Sequence, residues 1–323
     1  MARYRLTIVS DIHYAGPAEK VRVGFCHQSI SNPMVFLPAR LWQRLIWESD
    51  PLAHSHLLDR FLAEAPATDL TIANGDYSCD SAFVGVSDEA AYQSAAECLQ
   101  KLRGRGGEGF HGTIGDHELG KIGFGTRVGG LRLASYRRSV DGLGLRPFWR
   151  LAIGDYVLMG VASSLLALSV FLPEALPEER TDWERLRAAH LAEIRQAFCA
   201  LRSHERVLLF CHDPTALPFL WREDAVRGRL GQVEQTIIGH LHSHLILRPS
   251  RWLAGVPTIG FLGPFVRRIS SALGEARYWR PFRVRLCPAL RGIELLKDGG
   301  YYTAEIDTEG GEPVRFRWHP LAR

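Results

Sequence analysis

The sequence predicts an α/β fold in which parallel strands bring polar residues to one edge of a sheet. Four short apolar runs read as strands buried on both faces, and acidic or histidine residues follow each of them closely. The runs are residues 6–9, 70–73, 207–210 and 236–238. Because ligand sites of open α/β sheets lie at the carboxyl ends of the strands, we expect these distant polar residues to form one site.

Helices are predicted between the strands. Apolar residues recur at helical spacing in 56–65 and 88–103, and a capping box at Thr181 to Glu184 predicts a helix through about Leu201. Residues 157–172 are predicted to be a core strand followed by a loop or helix, and 301–307 with 314–318 a hairpin. Such alternation predicts a sheet covered by helices.

The chain is predicted to be a single domain with two additions. Its 323 residues contain no repeat or low-complexity spacer, and residues from 11 to 242 must meet in one site. Residues 15–53 resemble a cap insertion, because apolar residues recur at helical spacing up to Trp47. A lid, a lipid-facing cap, a dimer contact and simple packing against the sheet are the open interpretations.

The second addition, residues 265–297, is rich in arginine and aromatic residues. It predicts a surface for nucleic acid, an anionic lipid membrane or a polyanionic substrate, with a solvated flank as the plain alternative. The net charge of +4 is too small to indicate nucleic acid by itself. Peripheral membrane contact through 34–47 or 265–297 is therefore an open prediction, and the oligomeric state is not predicted.

The cysteine content and the hydropathy of the sequence allow a prediction of the cellular compartment. Six scattered cysteines form no C-x-x-C pair, and the chain begins with a strand rather than a signal peptide, which predicts a cytoplasmic location. No apolar run is long enough to predict a transmembrane segment. Membrane association, if present, would be peripheral.

Five short blocks carry the chemistry. Seven of their side chains, three carboxylates and four imidazoles, form the donor set expected for two adjacent divalent ions of borderline hardness. The blocks are Asp11-Ile12-His13, Gly75-Asp76, Gly115-Asp116-His117-Glu118, His212 and Gly239-His240-Leu241-His242. One block alone is more often an ordinary polar turn, but the shared position after strands favours a common site. A metal pair suits phosphoester hydrolysis, because it lowers the pKa of a shared water and neutralises phosphate charge.

In this order the blocks resemble the signature of the calcineurin-like metallophosphoesterases, which runs D-x-H, GD-x-x-D, G-N-H-[DE], a lone His after a strand, and G-H-x-H. The resemblance covers positions 9 to 242. It implies a metallophosphoesterase-type sandwich of two β-sheets flanked by helices (αββα). It also implies one ion on Asp11, His13 and His242, a second on Asp116, His212 and His240, and Asp76 as the bridge. His117 would contact the leaving-group oxygen, with Glu118 orienting its ring.

Two positions depart from the family pattern. Asp116 stands where Asn is usual, so we expect tighter metal binding, weaker attraction of an anionic substrate and compensating positive side chains near the site. The candidates for binding phosphate are Lys121, Arg127, Arg137 and Arg138, with a solvated surface as the alternative for each. Asp80 comes one residue later than the usual second acid, and the predicted site excludes it.

The sequence thus predicts a hydrolase with two divalent ions, manganese first and iron or zinc as alternatives. The extra apolar and basic segments favour a phosphodiester or pyrophosphate bond in a large amphiphilic or nucleotide-containing substrate, attacked by hydroxide. A nuclease, a cyclic nucleotide phosphodiesterase and a phosphomonoesterase remain alternatives. A non-catalytic scaffold is disfavoured, because every expected metal position holds a competent donor.

Overall fold

Two β-sheets lie at the centre of the fold, in a computed structural model that describes residues 3–22, 33–123, 128–259 and 264–321. The strands in these ranges are β1 (Arg3–Val9), β2 (Leu70–Ala73), β3 (Phe110–Gly112), β4 (Phe148–Ile153), β5 (Tyr156–Val161), β6 (Arg206–Cys211), β7 (Val233–Ile238), β8 (Val284–Leu286), β9 (Gly300–Asp307) and β10 (Arg315–Pro320). One sheet has the order β10-β9-β1-β2-β3 and the other β4-β5-β6-β7-β8.

Both sheets are mixed, and their parallel strands position the site. In the first sheet β1, β2 and β3 are parallel, while β9 and β10 add an antiparallel edge. In the second, β5 to β8 are parallel and β4 is antiparallel to β5. The carboxyl ends of β1, β2, β6 and β7 therefore lead into the loops that carry the polar blocks.

Successive side chains of a strand point to opposite faces of its sheet. These strands are apolar on both faces because each face is buried in a different core. Leu208 and Phe210 of β6 pack with Leu6 and Ile8 of β1 in the core between the sheets. Their neighbours on β6, Val207 and Leu209, belong to a second core beneath the helices. The sandwich of two sheets flanked by helices is confirmed.

The helices largely cover the outer faces of the sheets. In chain order they are α1 (Pro17–Lys20), α2 (Pro33–Trp42), α3 (His56–Glu64), α4 (Glu89–Gly106), α5 (Asp116–Leu119), α6 (Leu133–Arg137), α7 (Ser163–Leu166), α8 (Leu168–Phe171), α9 (Arg180–Cys199), α10 (Leu217–Arg222), α11 (Asp224–Arg227), α12 (His244–Trp252) and α13 (Pro264–Gly274). Within the described residues, no helix is both long and apolar enough to cross a membrane.

Most predicted elements are present, but the prediction of a capping box at Thr181 to Glu184 is wrong. Helix α9 begins at Arg180, so Thr181 lies inside the helix and caps nothing. A short 3₁₀ turn, Pro177–Glu179, leads directly into the helix and makes a side-chain cap at Thr181 unnecessary. The terminal hairpin, β9 and β10, forms as predicted and joins the first sheet beside β1.

The cap insertion contains the predicted helix. Helix α2 continues into a π-helical turn, Gln43–Trp47. Leu37, Leu41 and Leu45 of this segment are exposed. The interpretation that the whole apolar stripe packs against the sheet is therefore wrong.

The basic and aromatic extension is not a uniform surface, which corrects the prediction for 265–297. It supplies α13, a 3₁₀ turn (Ala276–Phe282) and β8, which pairs with β7 inside the second sheet. Trp279, Phe282 and Arg291 are buried. The rings of Trp279 and Phe282 pack in the core because this segment is part of the sandwich.

Candidate metal centre

Seven side chains of the predicted blocks form one cluster at the edge of the two sheets. Within the described residues, one group that could hold a cation is Asp11, His13 and His242, and a second is Asp76, Asp116, His212 and His240. A third combination, His13, Asp76 and His117, overlaps the first two. The donor atoms within each group lie within 4.8 Å of one another. The groups match the two ligand sets that the resemblance implied, and their role as ligands stays a prediction.

In the first group, imidazole nitrogens converge on a carboxylate. His242 Nε2 lies 3.4 Å from Asp11 Oδ1 and 3.1 Å from His13 Nε2. His13 Nε2 lies 4.0 Å from the same carboxylate oxygen. All three residues are buried. Three donor atoms thus face a common point.

In the second group, two histidines approach two carboxylates. His212 Nε2 lies 3.1 Å from Asp76 Oδ2 and 3.2 Å from Asp116 Oδ1. His240 Nδ1 lies 3.1 Å from the same Asp116 oxygen. His212 Nε2 is also 3.9 Å from Asp11 Oδ1, so the two groups adjoin.

The donor set fits a pair of divalent cations. Among the described residues, Asp76 Oδ2 and His212 Nε2 are buried without a hydrogen-bond partner, although they lie close together. Buried polar atoms are nearly always paired, so such atoms call for another partner. The facing Nε2 atoms of His13 and His242 share at most one hydrogen bond, whereas a cation would satisfy both lone pairs. Oxygen and nitrogen donors of this kind suit manganese, iron or zinc.

Hydrogen bonds outside the cluster orient the rings. His212 Nδ1 lies 2.6 Å from the Asn74 carbonyl oxygen, to which it donates, so Nε2 is the nitrogen that faces the carboxylates. The His117 ring donates through Nδ1 to the Ser78 carbonyl at 3.1 Å, which leaves Nε2 3.7 Å from Asp76 Oδ2. Asp11 accepts from Ser10 Oγ at 2.6 Å and from the His240 backbone N–H at 2.9 Å.

The backbone at the cluster is strained. Five cluster residues have left-handed conformations that side chains other than glycine rarely adopt: Asp11 (φ 49°), His13 (48°), Asp76 (60°), His240 (61°) and His242 (56°). Each such residue costs about 1 to 3 kcal/mol, and such residues concentrate at functional sites. The D-x-H and H-x-H pairs therefore reach the cluster from curled loops rather than from extended strands.

Two glycines allow the blocks to touch. A Cβ atom on Gly115 would lie 2.2 Å from Asp76 Oδ1, and one on Gly239 would lie 2.4 Å from Asp11 Oδ2. Both distances are far below any real contact. These blocks therefore need glycine because the carboxylate of another block occupies the space.

Burial and neighbouring charges set the protonation of the cluster. Burial and the nearby His117 hold the pKa of His13 well below its usual value, and burial with the nearby His13 does the same for His242. Burial lowers the pKa of His117 to about 4 and raises that of Asp11 to about 6. Neutral imidazoles are the form that binds metal, so these rings need lose no proton at neutral pH.

Glu118 does not orient the His117 ring, so that prediction is wrong. Its carboxylate accepts hydrogen bonds from the backbone N–H groups of Asp76 (3.0 Å), Tyr77 (2.8 Å) and Gly115 (2.9 Å). Through these hydrogen bonds Glu118 holds the block of Asp76 and the block of Gly115 together. The Ser78 carbonyl orients the His117 ring instead. Burial raises the pKa of Glu118 to about 8.

The predicted phosphate-binding residues have different locations. Lys121 Nζ lies 2.8 Å from Asp116 Oδ2, at the cluster itself. Arg138 pairs with Glu89 at 2.7 Å and stacks on Tyr92, and Arg137 is exposed. Arg127 lies outside the described residues. Of the four, Lys121 is the residue that the described structure joins to the donors.

Two residues beside the first group were not predicted. The Trp47 ring stacks on His242, with ring centroids 4.6 Å apart. Arg291 is buried, and its Nη2 lies 2.5 Å from Glu48 Oε2. Its positive charge is one of the influences that lower the pKa of His13 and His242. The apolar stripe around Trp47 was a signal for a helix, but nothing local distinguishes Arg291 from the other arginines of its segment.

No protein-family model matches the chain, and no curated protein matches its sequence. Solved structures resemble its fold. A dimetal phosphatase from Danio rerio is 13% identical, with 99% of this chain and 96% of that chain aligned and a TM-score of 0.45. Phosphopantetheinyl hydrolase from Mycobacterium tuberculosis is 14% identical over 73% and 82% of the two chains, with a TM-score of 0.35. Purple acid phosphatase from yellow lupin seeds is 11% identical over 75% and 38%, with a TM-score of 0.38.

At these identities and TM-scores, the three structures do not say what this chain binds or hydrolyses. The two-sheet sandwich, with its donor cluster at the edge of the sheets, is the architecture that the resemblance to calcineurin-like metallophosphoesterases implied. Function must therefore be argued from the cluster.

Replacing Gly239 by Ala is expected to weaken metal binding by roughly 10- to 100-fold, because the new methyl group displaces the loop of His240 from Asp11. The effect is measured by recording thermal unfolding of each variant at a series of metal concentrations. Gly231→Ala is the matched control, since a Cβ there meets no atom within 4 Å. Equal metal affinity of the two variants would show that the close approach is not needed.

Replacing Asp116 by Asn is expected to lower the affinity for the second ion at least about tenfold, because a ligand charge is lost and Lys121 is left unneutralised beside the cation. Metal analysis after dialysis against a range of free Mn²⁺ tests this. Adding Lys121→Met should recover part of the loss. The exposed Asp141→Asn is the control; unchanged metal content in Asp116→Asn would contradict the ligand role.

Proposed function

We propose that this chain is a metal-dependent phosphoric ester hydrolase with two divalent ions. The observation that carries the proposal is the convergence of seven acidic and imidazole donors from five separate blocks on two adjoining points. Buried atoms of Asp76 and His212 that lack a hydrogen-bond partner among the described residues support it. A purely structural cluster would not justify the backbone strain at five of its members.

The residues divide between the ions by distance. Asp11, His13 and His242 would hold one ion, Asp116, His212 and His240 the other, and Asp76 both. When bound, two such ions supply a water of lowered pKa and neutralise the charge of the phosphate oxygens. We propose manganese as the native metal, with iron and zinc as alternatives that the same donors accept.

His117 is proposed to act at the leaving group. Its ring lies at the partly exposed side of the cluster, and the Ser78 carbonyl fixes Nδ1. Since Nδ1 donates to that carbonyl and burial lowers the pKa of the ring, Nε2 would need to take up a proton in the complex with an anionic substrate before it could give one to the leaving oxygen. Glu118 keeps the block in place through backbone hydrogen bonds and needs no direct part in proton transfer.

Lys121 is proposed to bind a phosphate oxygen as well as to neutralise Asp116. Lys121 is partly exposed, as are His117 and His240, and its ammonium group lies 2.8 Å from Asp116 Oδ2. Arg268 adds positive charge near Lys121, although it also pairs with Glu174 at 3.4 Å. This positive charge offsets the third carboxylate, which would otherwise repel an anionic substrate.

For the substrate we propose a phosphodiester or pyrophosphate with an amphiphilic group. The exposed leucines of the 33–47 segment, whose end contacts the cluster through Trp47, support it. A nucleic acid substrate is less well supported, because Trp279 and Phe282, two aromatic residues of the 265–297 extension, are buried. The free cysteines among the described residues, such as Cys79 and Cys211, support a reducing, cytoplasmic compartment.

The test of the function is hydrolysis by the purified full chain. With Mn²⁺ we expect hydrolysis of bis(4-nitrophenyl) phosphate and of a nucleoside diphosphate ester to exceed that of 4-nitrophenyl phosphate. Chelation should abolish it and Mn²⁺ should restore it. Asp76→Asn should lose both metal and activity, with Asp141→Asn as control. A fully metal-loaded chain that hydrolyses none of the three esters would refute the proposal.

Replacing His117 by Gln separates a leaving-group role from a ligand role. We expect both ions to remain, while kcat falls about 100-fold or more for an ester with an alkyl leaving group. The fall should be much smaller for a 4-nitrophenyl ester, because 4-nitrophenol leaves without a proton. Loss of metal from the variant would instead assign His117 to a cation, as its grouping with His13 and Asp76 allows.

A further inference from the structure

Two helical segments beside the metal centre expose large apolar side chains. In 33–47, Leu37, Leu41 and Leu45 are 69%, 57% and 54% exposed, and their spacing of four residues places them on one helical face. In and after α12, Trp252 is 91% exposed and Leu253 46%. Isolated exposed leucines are ordinary, but a repeated row of them on one helical face marks a contact surface.

Both segments are joined to the centre. The first ends at Trp47, whose ring stacks on His242. The second begins immediately after His242, because Ser243 is the N-cap of α12. A third stretch adjoins the first, since the backbone N–H groups of Glu294 and Leu295 donate to the carbonyls of Trp47 and Ile46. Leu295 and Leu296 are also exposed.

The charge of these segments has one sign. Neither 33–47 nor 243–274 contains an aspartate or a glutamate. Among their described side chains, the exposed arginines are Arg40, Arg44, Arg248 and Arg267. Arginine together with leucine and tryptophan, without acids, is the composition of helices that lie in the interface of an anionic membrane.

We infer that the 33–47 and 244–253 segments dock this protein on an anionic lipid bilayer beside the metal centre. Leucines and Trp252 would enter the headgroup and acyl boundary, while the arginines meet lipid phosphates. A second copy of the chain fits less well, because a two-fold contact would bring arginines against arginines. Nucleic acid fits less well too, because leucine side chains gain little from bases or phosphates.

The docking surface deepens the proposed function and in that respect rests on it. A hydrolase held at a bilayer by segments that touch His242 would have its centre next to lipid headgroups, which indicates a membrane phospholipid or another lipid-linked phosphoester as the substrate class. The binding of vesicles itself does not depend on hydrolysis, so the two can fail separately.

The experiment is flotation of the full chain with vesicles of phosphatidylcholine alone or mixed with phosphatidylglycerol. We expect binding to the anionic vesicles only, with a blue shift of tryptophan fluorescence. Leu41→Gln/Leu45→Gln and Trp252→Ala should each weaken binding about tenfold, and Arg40→Gln/Arg44→Gln should weaken binding and its salt dependence. Val21→Gln and Arg185→Gln, also at exposed positions, are the matched controls.

Four outcomes decide the inference. It is overturned if the wild-type chain does not float with anionic vesicles, or if the variants and controls float equally. It is also overturned if Leu41→Gln/Leu45→Gln instead abolishes a dimer seen by sedimentation, or a steeply salt-dependent complex with single-stranded DNA. If vesicles bind but the metal-loaded chain hydrolyses none of the three esters, docking stands and the proposed function fails. Metal content and aryl diester hydrolysis should be unchanged in all docking variants.

Discussion

The structure depends on the burial of three carboxylates at the meeting point of two sheets. Asp11, Asp76 and Asp116 are almost completely shielded from water, where an uncompensated negative charge is very costly. Four imidazoles and the ammonium of Lys121 surround them, and His212 lies near all three. Burial lowers the pKa of His212, but the charges of Asp76 and Asp11 outweigh it and raise that pKa well above its usual value.

This constraint ties folding to cation binding. The carboxylates that raise the pKa of His212 are the groups that would attract a cation, so a cation and a proton would compete for this imidazole. Divalent ions that bind the folded cluster and not a dispersed unfolded chain would stabilise the fold, each by roughly 2.7 kcal/mol when its concentration is 100 times its Kd. That gain would act against the strain of the left-handed residues, which the parallel strands and the glycine contacts hold in place.

The cap insertion connects the buried centre to the outside of the molecule. Trp47 contacts His242 and Glu48 pairs with the buried Arg291, so the end of this insertion is built into the surroundings of the first donor group. The helix that precedes it turns leucines outward. This segment differs from a plain packing helix. Its inner end is fixed by the ring contact with His242 and the Glu48–Arg291 ion pair, while its leucine face has no counterpart among the described residues.

Local patterns determined much of what the structure contains. Apolar runs followed by Asp, His and Gly revealed the strands, their buried faces and the seven donors, because strand burial and a polar strand end are properties of short stretches. Only the tertiary structure decided that Lys121 neutralises Asp116, that Ser78 rather than Glu118 orients His117, and that Trp279 and Arg291 are buried. Each of these depends on atoms supplied by distant segments or by the curvature of a loop, and no periodicity in one stretch of sequence encodes them.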